Sequence, residues 1–270
     1  MNRVSRQAPR LVMLVLALAA LLLAGAPGAT AAPAAGEYDA AVQKAATWIV
    51  GQQQADGSFP GFGVGSTADA IYALAAAGRD VRAVAKNGVT PIGFLTTKAK
   101  DYAKTPGAAA KLLLALATAR DSTDPHNFGG VDLLQVIDNG YDAASGHYGK
   151  DVTGQALVLL AGKALNQPVP PAAVDWLVKA QAVDGGWAFD GSTDAGKADT
   201  NTTGLVLQAL AAAHAGNATV VQKALAYLHA QQEADGGFAY QKGPGNASDT
   251  NSTALVAMGL QAAGESPDGA

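Results

Sequence analysis

The residues whose types and spacing could do chemistry are written twice. Asp199-Thr200-Asn201-Thr202-Thr203 precedes an apolar run, and Asp249-Thr250-Asn251-Ser252-Thr253 precedes another about fifty residues later. An acid, an amide and three hydroxyls at a helix start can do three things. They can cap the helix by accepting from its free backbone N–H groups. They can present a carboxylic acid as a proton donor. They can form a polar rim for a ligand, with Asn201 and Asn251 as neighbours beside Asp199 and Asp249. Trp187, Phe189, Phe238 and Tyr240 flank these stretches, and the phrase "HYGKDVTGQ" places Tyr148 and Asp151 in a similar setting. These ten residues are the candidate ligand-binding set. Capping is the first expectation for Asp199 and Asp249, and packing is the first for each aromatic taken alone.

Other chemistry is excluded or unsupported by composition. The chain has no cysteine, which removes disulfides, thiolate metal sites and thiol nucleophiles. Its four histidines (His126, His147, His214, His229) lack metal-ligand spacing, so no metal is expected and no catalytic residue is assigned. The net charge of −4 argues against nucleic acid and anionic membranes as partners. Asn201, Asn217, Asn246 and Asn251 each match a glycosylation acceptor triplet.

The first residues carry Arg3, Arg6 and Arg10, then "LVMLVLALAALLLAG", then small residues around Ala29-Thr30-Ala31. A basic head, a short apolar core and a small-residue step are the layout of a secretory signal peptide over 1–31. The apolar run is shorter than the ~20 residues of a spanning helix. The expectation is one mature domain over 32–270, exported or at the cell surface, without a membrane span, and monomeric.

What positions the polar clusters is a repeat. Glutamine, then glycine four residues on, then an aromatic six residues on, occurs at Gln53-Gly57-Phe59, Gln181-Gly185-Trp187 and Gln232-Gly236-Phe238. Weaker copies lie at "SGHYG" around Tyr148 and "HNFGG" around Phe128. A stripe of helical period precedes each strong copy, as in "VVQKALAYLHAQQ" and "AVQKAATWIVGQQ". Greasier helices such as "TTGLVLQALAAAH" and "STALVAMGLQAAG" follow. Almost nothing alternates with period two. The chain therefore reads as all-α, roughly ten helices in five pairs of outer and inner helices repeating every roughly 40 to 50 residues. Helices apolar on nearly all sides belong inside a layer of amphipathic ones. That predicts a two-layer α/α toroid. The Asp-Gly-Gly step is expected to close each first helix, and the glutamine amide to bond backbone beside it.

The glutamine–glycine–aromatic motif resembles the repeat of squalene–hopene and oxidosqualene cyclases, with phenylalanine for tryptophan in two copies. The mature chain resembles the prenyltransferase and squalene-oxidase-repeat superfamily along nearly its whole length. In class II terpene cyclases an Asp-x-Asp-Asp-Thr stretch starts an inner helix, and its middle aspartate protonates the substrate. Carried over, that aspartate is replaced by Asn201 and the next by Thr202; Asn251 and Ser252 fill these places in the other copy. An amide cannot protonate an alkene. Protein prenyltransferases use a zinc-binding cysteine and complement domains a thioester cysteine, and neither exists here. Cobalamin carriers have a helical domain that resembles this chain, with inner helices starting at Asp-Thr. The resemblance implies a non-catalytic toroid binding a small molecule, cobalamin-like or isoprenoid-like, or a protein partner, at the inner-helix rim. Two alternatives stay open. One is a cyclase using Asp194, Asp199 or Asp249 as its acid, and the other is a structural module of a cell-surface assembly.

Overall fold

A computed structural model of the chain describes Gly36 and residues 38–266. The expected signal peptide and its cleavage step lie outside the described residues. No described helix is long and apolar enough to cross a membrane.

Ten α-helices occur among the described residues. They are α1 (Asp39–Gly51), α2 (Val64–Ala76), α3 (Pro91–Tyr102), α4 (Pro106–Ala119) and α5 (Leu133–Asn139). The others are α6 (Val152–Ala164), α7 (Pro171–Lys179), α8 (Thr200–Ala212), α9 (Ala218–Gln231) and α10 (Thr250–Ala262). One two-residue hairpin interrupts them, β1 (Tyr141–Asp142) against β2 (His147–Tyr148), antiparallel with Tyr141 opposite Tyr148.

The described residues group into two compact units divided between Asn139 and Gly140, where one domain is expected from sequence. The first holds α1–α5. There α2 packs on α1, α3 and α4, and α4 also packs on α3 and α5. The second holds α6–α10. Within it α8 lies against both α6 and α10, while α7 packs on α6 and α9 on α8.

The division into layers follows composition. In α8 the small or apolar Gly204, Val206, Leu207, Ala209, Leu210 and Ala212 are buried, together with Thr200, Thr202 and Thr203. Helix α4 is buried in the same way through Leu112, Leu113, Leu114, Ala115 and Leu116. Helix α7 buries only Ala173 and Leu177, and α9 only Val220, Ala224, Tyr227 and Leu228. Glycine lets two inner helices touch backbone to backbone. A Cβ at Gly259 of α10 would stand 2.7 Å from Gly204 Cα of α8, and one at Gly204 would collide with Leu255 O.

Six of the helix starts are fixed by capping side chains. Asp151, Asp199 and Asp249 accept from the backbone N–H three residues on, opening α6, α8 and α10. Thr90, Thr105 and Asn217 do the same for α3, α4 and α9. Each such cap stabilises by about 1 kcal/mol.

Candidate functional site

The repeat turn carries the geometry. Gln181 Nε2 donates to Gly185 O at 2.8 Å within its own turn and to Val220 O at 2.9 Å in α9. Gln53 Nε2 donates likewise to Gly57 O at 3.2 Å and Val89 O at 3.4 Å, just ahead of α3. The glycine does not close the first helix as expected. Gly185 lies six residues past the end of α7, in a turn where its N–H donates to Ala182 O. Glycine is required there for two reasons. Its φ is +97°, and a Cβ would collide with Lys223 O of α9. Each glutamine thus ties its own turn to the outer helix that follows.

The weak copy at Tyr148 reaches the same result by another route, one that sequence reading missed. Gln155, on α6, donates to Gly146 O at 3.1 Å and Ala173 O at 2.8 Å, and accepts from Tyr148 N at 2.6 Å. It occupies the place that Thr203 holds on α8. Thr203 Oγ1 accepts from Trp187 N at 2.9 Å and donates to Asp199 O at 2.7 Å. The visible signal was its position, four residues after the capping aspartate.

The acid–amide–hydroxyl cluster resolves residue by residue. Asp199 is fully buried; its Oδ1 accepts from Thr202 N at 2.7 Å and its Oδ2 from Thr202 Oγ1 at 2.8 Å. Thr200 ties α8 to the next turn, its N–H donating to Tyr240 O at 3.0 Å and its hydroxyl to Ala239 O at 2.7 Å. The equivalent backbone bond in α6 runs from Val152 N to Phe189 O at 2.9 Å. Four of the five residues are therefore committed to holding the fold. Asn201 is the exception. It is half-buried, its Oδ1 accepts only from Thr200 Oγ1 at 3.3 Å, and its Nδ2 has no partner among the described residues.

In the second copy Asp249 accepts from Ser252 N at 2.8 Å and Ser252 Oγ at 2.7 Å, and Phe238 N donates to Thr253 Oγ1 at 3.0 Å. Asp249, Thr250 and Asn251 are exposed. A shallow cavity of about 420 Å³ opens along α10, lined by Ser248, Asp249, Thr250, Thr253, Ala254 and Ala257.

The candidate aromatics divide by position in the turn. Trp187, Phe238 and Tyr148, the motif aromatics, are buried, and Trp187 Nε1 donates to Leu177 O at 2.7 Å. They pack between elements. Phe189 and Tyr240, two residues further on, are 52% and 47% exposed. Asp151 serves as the cap of α6 through Gly154 N at 2.6 Å. The structure therefore places Phe189, Tyr240, Asn201, Asn251 and Asp249 at surfaces beside the starts of α6, α8 and α10.

Electrostatics separates the two acids. Burial pushes the Asp199 carboxyl above its ordinary value, against the opposing bonds from Thr202 and Tyr240. Hydrogen bonds from the Ser252 backbone and hydroxyl hold Asp249 below its own. Tyr240 is pushed up to about 12 by burial and by the charges of Asp199 and Asp190, and burial with Asp184 and Asp199 raises Tyr227 as well. The negative field around α8 was not legible without the fold.

His147 stacks on Trp176 with ring centroids 3.8 Å apart. Its Nε2 is buried without a hydrogen-bond partner, and burial holds the imidazole below its ordinary value. Among the described residues no group of three or more His, Asp or Glu is placed to hold a metal.

Within each unit, apolar inner helices packed against amphipathic outer ones and clasped by repeat turns define a helical-repeat class of protein. The chain belongs to the family of the squalene-hopene cyclase C-terminal domain, whose model matches residues 26–249. The all-α, α/α-toroid class expected from sequence holds. No curated protein matches the chain. Among solved structures it is similar to a possible member of the GH105 family from Salmonella enterica, at 12% identity and a TM-score of 0.48, covering 97% of this chain and 95% of that one. It is similar also to a glycosyl hydrolase family 88 protein from Bacteroides vulgatus, at 15% identity and a TM-score of 0.47, covering 96% and 99%.

Proposed function

We propose that the protein is an exported, non-catalytic member of its family that binds a small molecule at the inner-helix rim. Asn201 is the central contact, with Phe189, Tyr240, Asn251 and Asp249 as the further candidate contacts. One observation carries the reading: in a cluster otherwise committed to structural bonds, the residue in the place of the cyclase acid is an amide with a free N–H2 group. An uncommitted polar group beside an exposed aromatic supports recognition of a ligand with an apolar body and an acceptor, the description that isoprenoid-like and cobalamin-like molecules share.

The acids available for catalysis argue the same way. A proton donor must be neutral at working pH and must reach the substrate. Asp199 is raised, yet it is fully buried with both oxygens engaged by Thr202. Asp249 reaches solvent but is held ionised. Asp194 lies exposed on a loop.

Two measurements test this. Thermal-shift screening against isoprenoids and corrinoids is expected to find a ligand whose affinity falls about tenfold or more in Asn201→Ala, with folding unchanged. Incubation with squalene or a linear diphosphate is expected to return the substrate intact. A cyclised product, lost in Asp199→Asn, would overturn the non-catalytic reading.

A further inference from the structure

The β1–β2 hairpin is held on α7 at two points of different chemistry. The first does not titrate. Gln155 Nε2 bonds both Gly146 O of the hairpin and Ala173 O of α7, and a Cβ at Gly146 would stand 2.3 Å from Ala172 O. The second point is His147, whose ring lies 3.8 Å from that of Trp176 with the two planes 8° apart. Both rings are half-buried, and Gly191 lies against the six-membered edge of the indole, where a Cβ would stand 3.7 Å from Cη2.

The two ring nitrogens of His147 have opposite surroundings. One bonds the backbone carbonyl of Asp151, the residue that caps α6. That nitrogen is Nδ1, because Nε2 is enclosed without a hydrogen-bond partner. The bond requires Nδ1 to carry the proton, which leaves Nε2 as a bare lone pair. Protonation would add an N–H and a share of positive charge at an atom that neither water nor a protein acceptor reaches.

The charges around the ring pull the other way. Asp142, paired with His147 across the hairpin, and Asp151 at the start of α6 both favour the cation. The indole face favours it too. Elsewhere, Asp175 and Lys179 flank Trp176 along α7, Asp190 precedes Gly191, and Lys150 precedes Asp151; all four side chains are exposed. Burial outweighs the two acids and holds the imidazole below its ordinary value.

We infer that the His147–Trp176 stack is an acid-released latch: in neutral solution it fastens the hairpin to α7, and in acid its protonation loosens both. The effect reaches the start of α6, because Asp151 both meets the ring and caps that helix. Gln155 keeps its own bonds at all pH values, so the opening is local. The sign follows from linkage. The folded-state pKa lies below the unfolded value of about 6.5, so the contribution of the latch is full above that pH and is lost as pH falls through the lowered value. This inference does not depend on the ligand reading.

The test uses the purified protein between pH 7.5 and pH 5.0, above the range in which the carboxylates titrate. The Cε1 proton of His147, assigned by its loss in His147→Phe, is expected to titrate below the ordinary histidine midpoint of about 6.5. Amide exchange, corrected for its intrinsic pH dependence, is expected to become about tenfold faster in acid at His147, Tyr148 and the first turn of α7. His147→Phe keeps a flat ring on Trp176 and removes the titration, so its protection there should be the same at both pH values. Trp176→Leu removes the stack and should speed exchange in the hairpin at both. A His147 midpoint at or above 6.5 would overturn the proposal without recourse to any variant's folding. So would wild-type exchange indifferent to pH, or an equal acid loss in His147→Phe.

Discussion

The turn at Trp187 and the turn at Phe238 share a phrase, a cap and a threonine, yet they sit in different surroundings. The first is covered by α9, and its glutamine reaches two carbonyls. The second has no outer helix over it among the described residues, and its glutamine reaches one. The consequence runs to the acids. Asp199 is buried and its carboxyl raised, while Asp249 is exposed and its carboxyl lowered. Similar local sequence therefore sets similar local hydrogen bonds, and neighbouring repeats set burial and charge.

The comparison can be broken most sharply at the motif aromatic. Trp187→Ala is expected to destabilise by about 4 kcal/mol, because it opens a cavity and leaves Leu177 O without its indole donor. Phe238→Ala should cost less, about 3 kcal/mol, since a smaller ring without a polar bond is removed. Equal losses by urea denaturation would mean that the larger ring and its bond to Leu177 O add nothing to the first turn.

The glycines give a smaller but more selective effect. Gly185→Ala is expected to cost about 3 kcal/mol, combining left-handed strain with the collision against Lys223 O. Gly236→Ala carries the strain alone, with φ at +83° and open space around it, and should cost about 1 kcal/mol. A cost at Gly236 as high as that at Gly185 would show that something covers the second turn in solution.

Much of this was legible in the residues. Period and composition fixed ten helices in two layers, because alanine and leucine on every side leave a helix nowhere to go but inside. The caps at Asp199 and Asp249 were readable from residue type, while that at Asp151 came from the structure. The role of the glycine was not. Its need arises from the approach of Lys223, which lies 38 residues further along the chain, and sequence alone offered a helix terminus as the nearer explanation. Gln155 was missed for a related reason, since its amide serves a turn from the helix side and so escapes the motif's spacing. The candidate rim divided into buried Trp187, Phe238 and Tyr148 and exposed Phe189 and Tyr240. A repeat motif marks aromatic positions but does not say which of two lies under the next helix.

The smallest expected effect is also the most direct reading of the two acids. Asparagine caps about as well as aspartate, so Asp199→Asn and Asp249→Asn keep their helix starts while removing the titration. Asp199 has a folded-state pKa above its unfolded one. Its contribution is therefore full at acid pH and is lost as pH rises from roughly 4 through the raised value. Asp249 has a folded-state pKa below its unfolded one, so its contribution is full above roughly pH 4 and is lost as pH falls through the lowered value. Melting temperatures from pH 3 to pH 7 should then diverge in opposite senses. Relative to Asp199→Asn, the wild type weakens toward neutral pH; relative to Asp249→Asn, it weakens toward acid. Slopes of the same sign would show that both carboxylates meet the same surroundings in solution, and the contrast between a covered and an uncovered repeat would fall with them.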